Sequence, residues 1–213
     1  MQFPQLIRKE ILAEWRNPSQ LGGLLSFLAG VCFLCYFFSG DVHPAQWNLL
    51  FWIVYLFLSF FASARMYEED NIRYRFYTSQ LVRPLLLFAA KLAYLWGLLL
   101  LLSWVLLNLF SALLPVPGTG GPGWLLLLVP VSAGFACLGC FTSLLSSYGQ
   151  SRQMLVIVIS LPLCFPLLGS AYAASLELLT GGEAWLAKLI PVLAIDLLTL
   201  AMATILLPLS WKG

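Results

Sequence analysis

Six apolar runs, each about 18–23 residues long, alternate along this chain with short polar stretches. A helix of that length crosses a hydrocarbon core of ~30 Å. The runs fall at about Leu21–Ser39, Trp47–Ala64, Leu92–Leu114, Trp124–Ser146, Met154–Leu176 and Leu189–Leu209. Stretches such as Leu98–Leu102 show none of the in-out alternation of a barrel strand, so helices are expected. The pattern predicts an all-α polytopic membrane protein with six transmembrane helices. Little of the 213 residues is left over for a soluble domain, and residues 1–213 read as one membrane domain.

Ahead of the first run, Leu6, Ile7, Ile11 and Trp15 recur at helical spacing, with Arg8, Lys9, Glu10, Glu14 and Arg16 as a polar remainder. This predicts an interfacial amphipathic helix over residues 3–18, lying on membrane lipids and ended or turned by Pro18. A basic tail that only fixes topology is the other reading. The first apolar run has no small-residue cleavage site before Asp41. It reads as a retained span rather than a signal peptide.

Composition agrees: 61% of residues are hydrophobic and 9% charged, which excludes a soluble domain. The placement of charge then orients the chain. With both ends on one side, Arg8, Lys9, Arg16, Arg65, Arg73, Arg75, Arg83, Lys91, Arg152 and Lys212 group together, and only Lys188 falls opposite. The positive-inside rule puts both termini in the cytoplasm. The small net charge of +2 gives no reason to expect a nucleic-acid partner.

Residues 65–91, between the second and third runs, form the longest charged segment. After Arg65 come Glu68, Glu69 and Asp70, and Arg73, Arg75, Arg83 and Lys91 follow. Acids at the start and cations toward the end suit a short helix and its dipole. Phe76, Tyr77, Leu81 and Val82 supply an apolar face for a partner protein, and Pro84 redirects the chain toward the third run. A solvated loop that sets topology is the alternative.

Three further features are candidates for chemistry. Pro162 and Pro166 lie four apart in the fifth run, which should kink or break the helix. Asp196 is the only acid well inside a run. Intramembrane ionisable groups are candidates for function by default; the other reading is a neutral Asp bonded to backbone or to a neighbouring hydroxyl such as Thr199. His43 is the sole histidine, and a ligand role would need companions that the sequence does not offer. The pairs Cys32/Cys35 and Cys137/Cys140 have CxxC spacing but lie inside apolar runs, where Cys packs as a small hydrophobe, and Cys164 reads the same way. No metal site is expected. No GxxxxGK[ST] occurs; the run Gly118–Gly123 lacks its Lys. With no Ser-His-Asp set either, no catalytic residue is expected in this chain.

The segment Arg65-Met66-Tyr67-Glu68-Glu69-Asp70, followed by Gln80-Leu81-Val82-Arg83-Pro84 and Lys91, resembles one family. So does the string Leu161-Pro162-Leu163-Cys164-Phe165-Pro166-Leu167-Leu168. The family is haem exporter protein B, the B-type membrane subunit of the cytochrome c maturation machinery and a type-2-like permease of ATP-binding-cassette transporters. The resemblance covers length, six spans, amphipathic start and loop order. The family's acid-Gly-Ser/Thr-Leu turn is replaced here by Asn71-Ile72-Arg73-Tyr74-Arg75. The resemblance implies a multi-pass permease of the bacterial inner membrane, with two copies paired to a separate cytoplasmic ATPase that binds ATP. It also implies a haem-handling membrane subunit and a haem chaperone as partners, with haem held by them. Glu68, Glu69, Asp70, Tyr77, Leu81 and Arg83 would form the helix that docks on the ATPase. Another type-2 exporter permease, for a lipid, glycan or drug, and a membrane scaffold without an ATPase are the competing readings.

Overall fold

The computed structural model describes residues 2–16, 18–40, 42–64, 66, 84–116, 118, 121–146 and 152–210. The predicted docking residues Glu68, Glu69, Asp70, Tyr77, Leu81 and Arg83 lie outside them. Among the described residues there are helices and turns and no strand. In chain order the helices are α1 (Gln2–Arg16), α2 (Pro18–Ser39), α3 (Pro44–Ala64), α4 (Pro84–Leu113), α5 (Pro122–Ser146), α6 (Arg152–Leu179) and α7 (Ile190–Ser210). Two short 3-10 turns, Glu183–Trp185 and Ala187–Leu189, join α6 to α7. Helices α2 to α7 are long and apolar enough to cross a membrane. The protein is an all-α polytopic membrane protein.

The boundaries follow local chemistry. Helices α2 to α5 each begin on a proline, where a fixed φ and a missing N–H cost a first turn nothing. Pro84 therefore starts α4, and residues 84–91, read from the sequence as the end of a loop, are its first two turns. Of the two outcomes expected for the fifth run, a break does not occur. Helix α6 runs continuously from Arg152 to Leu179 with Pro162 and Pro166 inside it. Both prolines are exposed, while Cys164, Leu167 and Ala171 face the bundle. The side of the helix that lost backbone bonds is thus turned away from the core, where it disturbs no packing.

Helix α5 is the central element, packed against α3, α4, α6 and α7. In its spanning window 72% of residues are buried, and 61% in α3, against 17% in α2 and 22% in α7. The core is thus built on α3 and α5, with the other helices as their cover. Close approach to α5 depends on two glycines. A Cβ at Gly139 would collide with Ser63 of α3, and one at Gly134 would collide with Asp196 of α7 and with Leu167 of α6. Small residues of this kind allow transmembrane backbones to approach, and packing rather than hydrophobicity is what holds such helices together in lipid.

Contacts between helices fix the two ends of the bundle. At one end, Trp47 at the start of α3 donates its indole N–H to the carbonyl of Leu114, just past α4, at 3.0 Å. The Trp124 ring at the start of α5 meets Trp47 edge-on, with centroids 5.5 Å apart. Asn48 and Trp52 bond to residues near the end of α6. At the other end α1 meets the start of α4, and Thr142, late in α5, bonds Ser160, early in α6. Arg8, Lys9 and Lys91 lie at this second, basic end, and Lys188 lies at the tryptophan end.

Candidate functional site

The basic end carries a buried charge. Lys91 is in the second turn of α4, and its side chain is 4% exposed. A buried ammonium is costly unless it is paired and hydrogen-bonded. Here Nζ donates to the backbone carbonyl of Met66 at 2.7 Å and lies 3.6 Å from Glu10 Oε1 of α1. One side chain thus joins three pieces of chain: the amphipathic helix, the residue that enters segment 67–83, and the helix that leaves it. Lys9 stands 3.9 Å from the same carboxylate, on the more exposed side.

This changes the reading of α1. The helix runs from Gln2 to Arg16, Pro18 belongs to α2 rather than to its end, and Glu10 is the correction within it. By sequence Glu10 belonged to the polar remainder. In the structure its side chain is only 16% exposed and turned toward α4, three and four residues after the half-buried Ile7 and Leu6. That spacing puts all three on one helical face. Phe3, Ile11 and Leu12 are exposed, as suits a helix with one side on the bundle and another on lipid. Pairing Glu10 with Lys91 by spacing to the inner face was within reach of the sequence; the Met66 carbonyl was not.

The tryptophan end holds a second polar cluster, which the sequence did not reveal. Trp52 donates its indole N–H to Ser175 Oγ at 2.8 Å. Ser175 Oγ lies 2.7 Å from Asn48 Oδ1, and Asn48 Nδ2 donates to the carbonyl of Tyr172 at 3.0 Å. These bonds lock α3 to α6. Around them Trp47, Phe51, Phe110 and Trp124 pack ring on ring, with centroids 5.4–6.0 Å apart. A polar lock in a ring-packed wall is a fixed structure. The signal for it was Asn48, the only amide in the second run, with no clue to its partner.

Asp196 lies between these ends, nearer the tryptophan end. It is the seventh residue of α7, ~9 Å of rise from the helix start. The sequence offered Thr199 as a partner for its carboxyl group. The structure differs: Thr199 Oγ1 donates to the backbone carbonyl of Asp196 at 3.0 Å. The Oδ1 atom itself is buried without a hydrogen-bond partner. The reason is geometric, since a hydroxyl three residues on in a helix reaches its own backbone first. Asp196 lines a cavity of about 270 Å3 between α4, α5 and α7, with Ala93, Trp96, Ala133 and Cys137 in its walls.

The remaining candidates sit apart from one another. His43 is exposed ahead of α3, where its carbonyl accepts from Trp47 N at 2.9 Å. No group of three or more His, Cys, Asp or Glu side chains able to hold a metal occurs among the described residues. Cys32, Cys137, Cys140 and Cys164 are buried and Cys35 is half-buried. Pro162 and Pro166 share no site with Asp196 or Lys91; they occupy the outer face of α6.

No protein-family model, curated protein or solved structure matches this chain.

Proposed function

We propose that this chain is the permease subunit of an ATP-binding-cassette transporter complex in cytochrome c biogenesis. In this reading two copies pair with a separate cytoplasmic ATPase, both termini face the cytoplasm of a bacterial inner membrane, and segment 67–83 docks on the ATPase. A haem-handling membrane subunit and a haem chaperone hold the haem. This chain supplies the movement that releases the loaded chaperone. The link to haem rests on the family resemblance of the sequence alone.

The observation that carries the permease reading is the junction at Lys91. A push on segment 67–83 enters the bundle at Met66 and leaves through Pro84. Lys91 joins both sides of that segment to α1 through Met66 and Glu10. A segment serving only to set topology has no need of such a brace. At the far end, the Trp52–Ser175–Asn48 lock holds α3 and α6 together. A bundle braced at one end and locked at the other suits rigid movement of helices between two packed states.

The test is a mild-detergent pull-down of the tagged chain from native membranes, with mass spectrometry and a haem absorption spectrum. Recovery of an ATPase together with haem-handling subunits is the expected result. An ATPase without them moves the reading to a permease for another substrate, and no ATPase overturns both. Reversing the charges of Glu68, Glu69 and Asp70 should abolish ATPase recovery while membrane insertion stays normal. Normal recovery would remove segment 67–83 as the docking element.

A further inference from the structure

The cavity between α4, α5 and α7 plays no part in the coupling reading, and its chemistry is specific. Its walls come from residues whose side chains stop short: Ala89 and Ala93 on α4 and Ala133 on α5. Where they stop, the helices leave a space of about 270 Å3. That is close to the lower end of the ~300–1,000 Å3 usual for small-molecule sites. Trp96, 40% exposed, and Leu200, also 40% exposed, stand at its rim. Every helix bordering it is long and apolar enough to span a membrane, and the exposed faces of Trp96 and Leu200 put its mouth on the outer surface of the bundle.

One group in the walls does not suit lipid tails. Asp196 brings a carboxyl group whose Oδ1 is buried and unpartnered. Among the described residues, no Lys, Arg or His lines the cavity. Two of the nearby donors are committed elsewhere, and Cys137 brings only a weak thiol donor. Trp96 donates to the carbonyl of Val129 at 3.2 Å and to Ser132 Oγ at 3.1 Å, and Thr199 donates to backbone. A buried acceptor left unmade is unfavourable, and in a low-dielectric site a donor that meets it gains most when it carries charge.

We propose that this cavity is a binding site for a lipophilic amine that enters from the bilayer. The apolar body lies against Ala89, Ala93 and Ala133 beside the Trp96 ring, and the protonated amine donates to the Asp196 carboxylate. A plain acyl chain fits the walls but leaves Oδ1 unsatisfied. An amine with an apolar body meets both requirements, which is the usual composition of a small-molecule site: apolar walls with one placed polar group. This inference does not rest on the coupling reading, and its test needs no ATPase.

The experiment uses the full chain in phosphatidylcholine nanodiscs and a dodecylamine probe with a diazirine in its chain. Labelled peptides are mapped by mass spectrometry. Label is expected on peptides containing residues 89–96 and 133–137. Unlabelled dodecylamine should displace it at a membrane concentration about tenfold lower than dodecanol, the margin expected for a charge-assisted bond. Asp196→Asn should cut this labelling about tenfold, and Ala133→Leu, which fills the cavity, should abolish it. Elution volume and thermal midpoint report whether each variant is folded. Equal displacement by dodecanol and dodecylamine on the unaltered protein would overturn the proposal, whatever the variants do. So would undiminished labelling of a folded Asp196→Asn variant, or absence of label at the cavity.

Discussion

Glu10 Oε1 lies 3.6 Å from Lys91 Nζ, and the two residues are separated in sequence by two complete membrane spans. This pairing turns the N-terminal helix from an accessory on the lipid surface into part of the bundle. Removing one partner of a buried pair strands the other, which costs about 3–5 kcal/mol where burial is complete. Glu10 is partly wetted, so the two sides should differ. Glu10→Gln, which leaves the more deeply buried Lys91 without its carboxylate, should lower the thermal midpoint more than Lys91→Met. A double-mutant cycle between them should give a coupling of about 1–3 kcal/mol. Additive effects would mean that the pair is a bystander to the packing of α1 on α4.

Ser175→Ala should unlock the tryptophan end. It removes the acceptor of Trp52 and a polar neighbour of Asn48 at once. Interhelical hydrogen bonds in membranes contribute about 0.6 kcal/mol on average and up to about 1.7. A loss near the upper figure is expected, because two groups are left unsatisfied together. Unfolding in mixed micelles measures it, and Trp52→Phe in the Ser175→Ala background should recover part of the loss.

Gly139→Ala should be damaging out of proportion to one methyl group. The new Cβ would meet Ser63 on the neighbouring helix, and overpacking of this kind costs about 1–3 kcal/mol. The cause is local, so Ser63→Gly should restore most of the lost stability. Absence of rescue would place the damage elsewhere in α5.

Replacing Pro162 and Pro166 together by Ala should leave stability unchanged or raise it, since α6 is already continuous and both sites face outward. The expected cost is in activity, measured as cytochrome c maturation in cells: the regained backbone bonds stiffen α6 between its early turns and the end that is locked to α3. Full maturation in the double variant would make the prolines passive features of the outer face.

How far these features could be read in advance depends on their range along the chain. The six spans were legible because hydropathy is local and bilayer thickness sets their length. The start of α4 at Pro84 was legible in part, since Pro84 was already expected to turn the chain toward a helix. By charge Glu10 belongs to the polar remainder of α1, whereas its spacing from Leu6 and Ile7 puts it on the inner face. The Asn48–Ser175 contact joins residues 127 positions apart, and nothing local to either names the other. Asp196 was found as an intramembrane acid, but its environment depends on three helices meeting around alanines and a glycine. The fifth run was expected to kink or break because of its two prolines. The outer placement of that face, which lets the helix continue, is a property of the bundle.

The length of α4 has a consequence for the surrounding bilayer. Thirty residues of unbroken helix make a rod of ~45 Å, against a hydrocarbon thickness of ~30 Å. The rod is tethered near both ends, by Trp47 at Leu114 and by the Lys91 junction. Measured from the tryptophan end, ~30 Å of rise is used up near Tyr94, one turn before Lys91. Helix α1 is therefore held at a fixed distance from the tryptophan end. A bilayer of different thickness must thin, thicken or tilt the whole bundle to match it, so lipid chain length becomes a mechanical input to this protein.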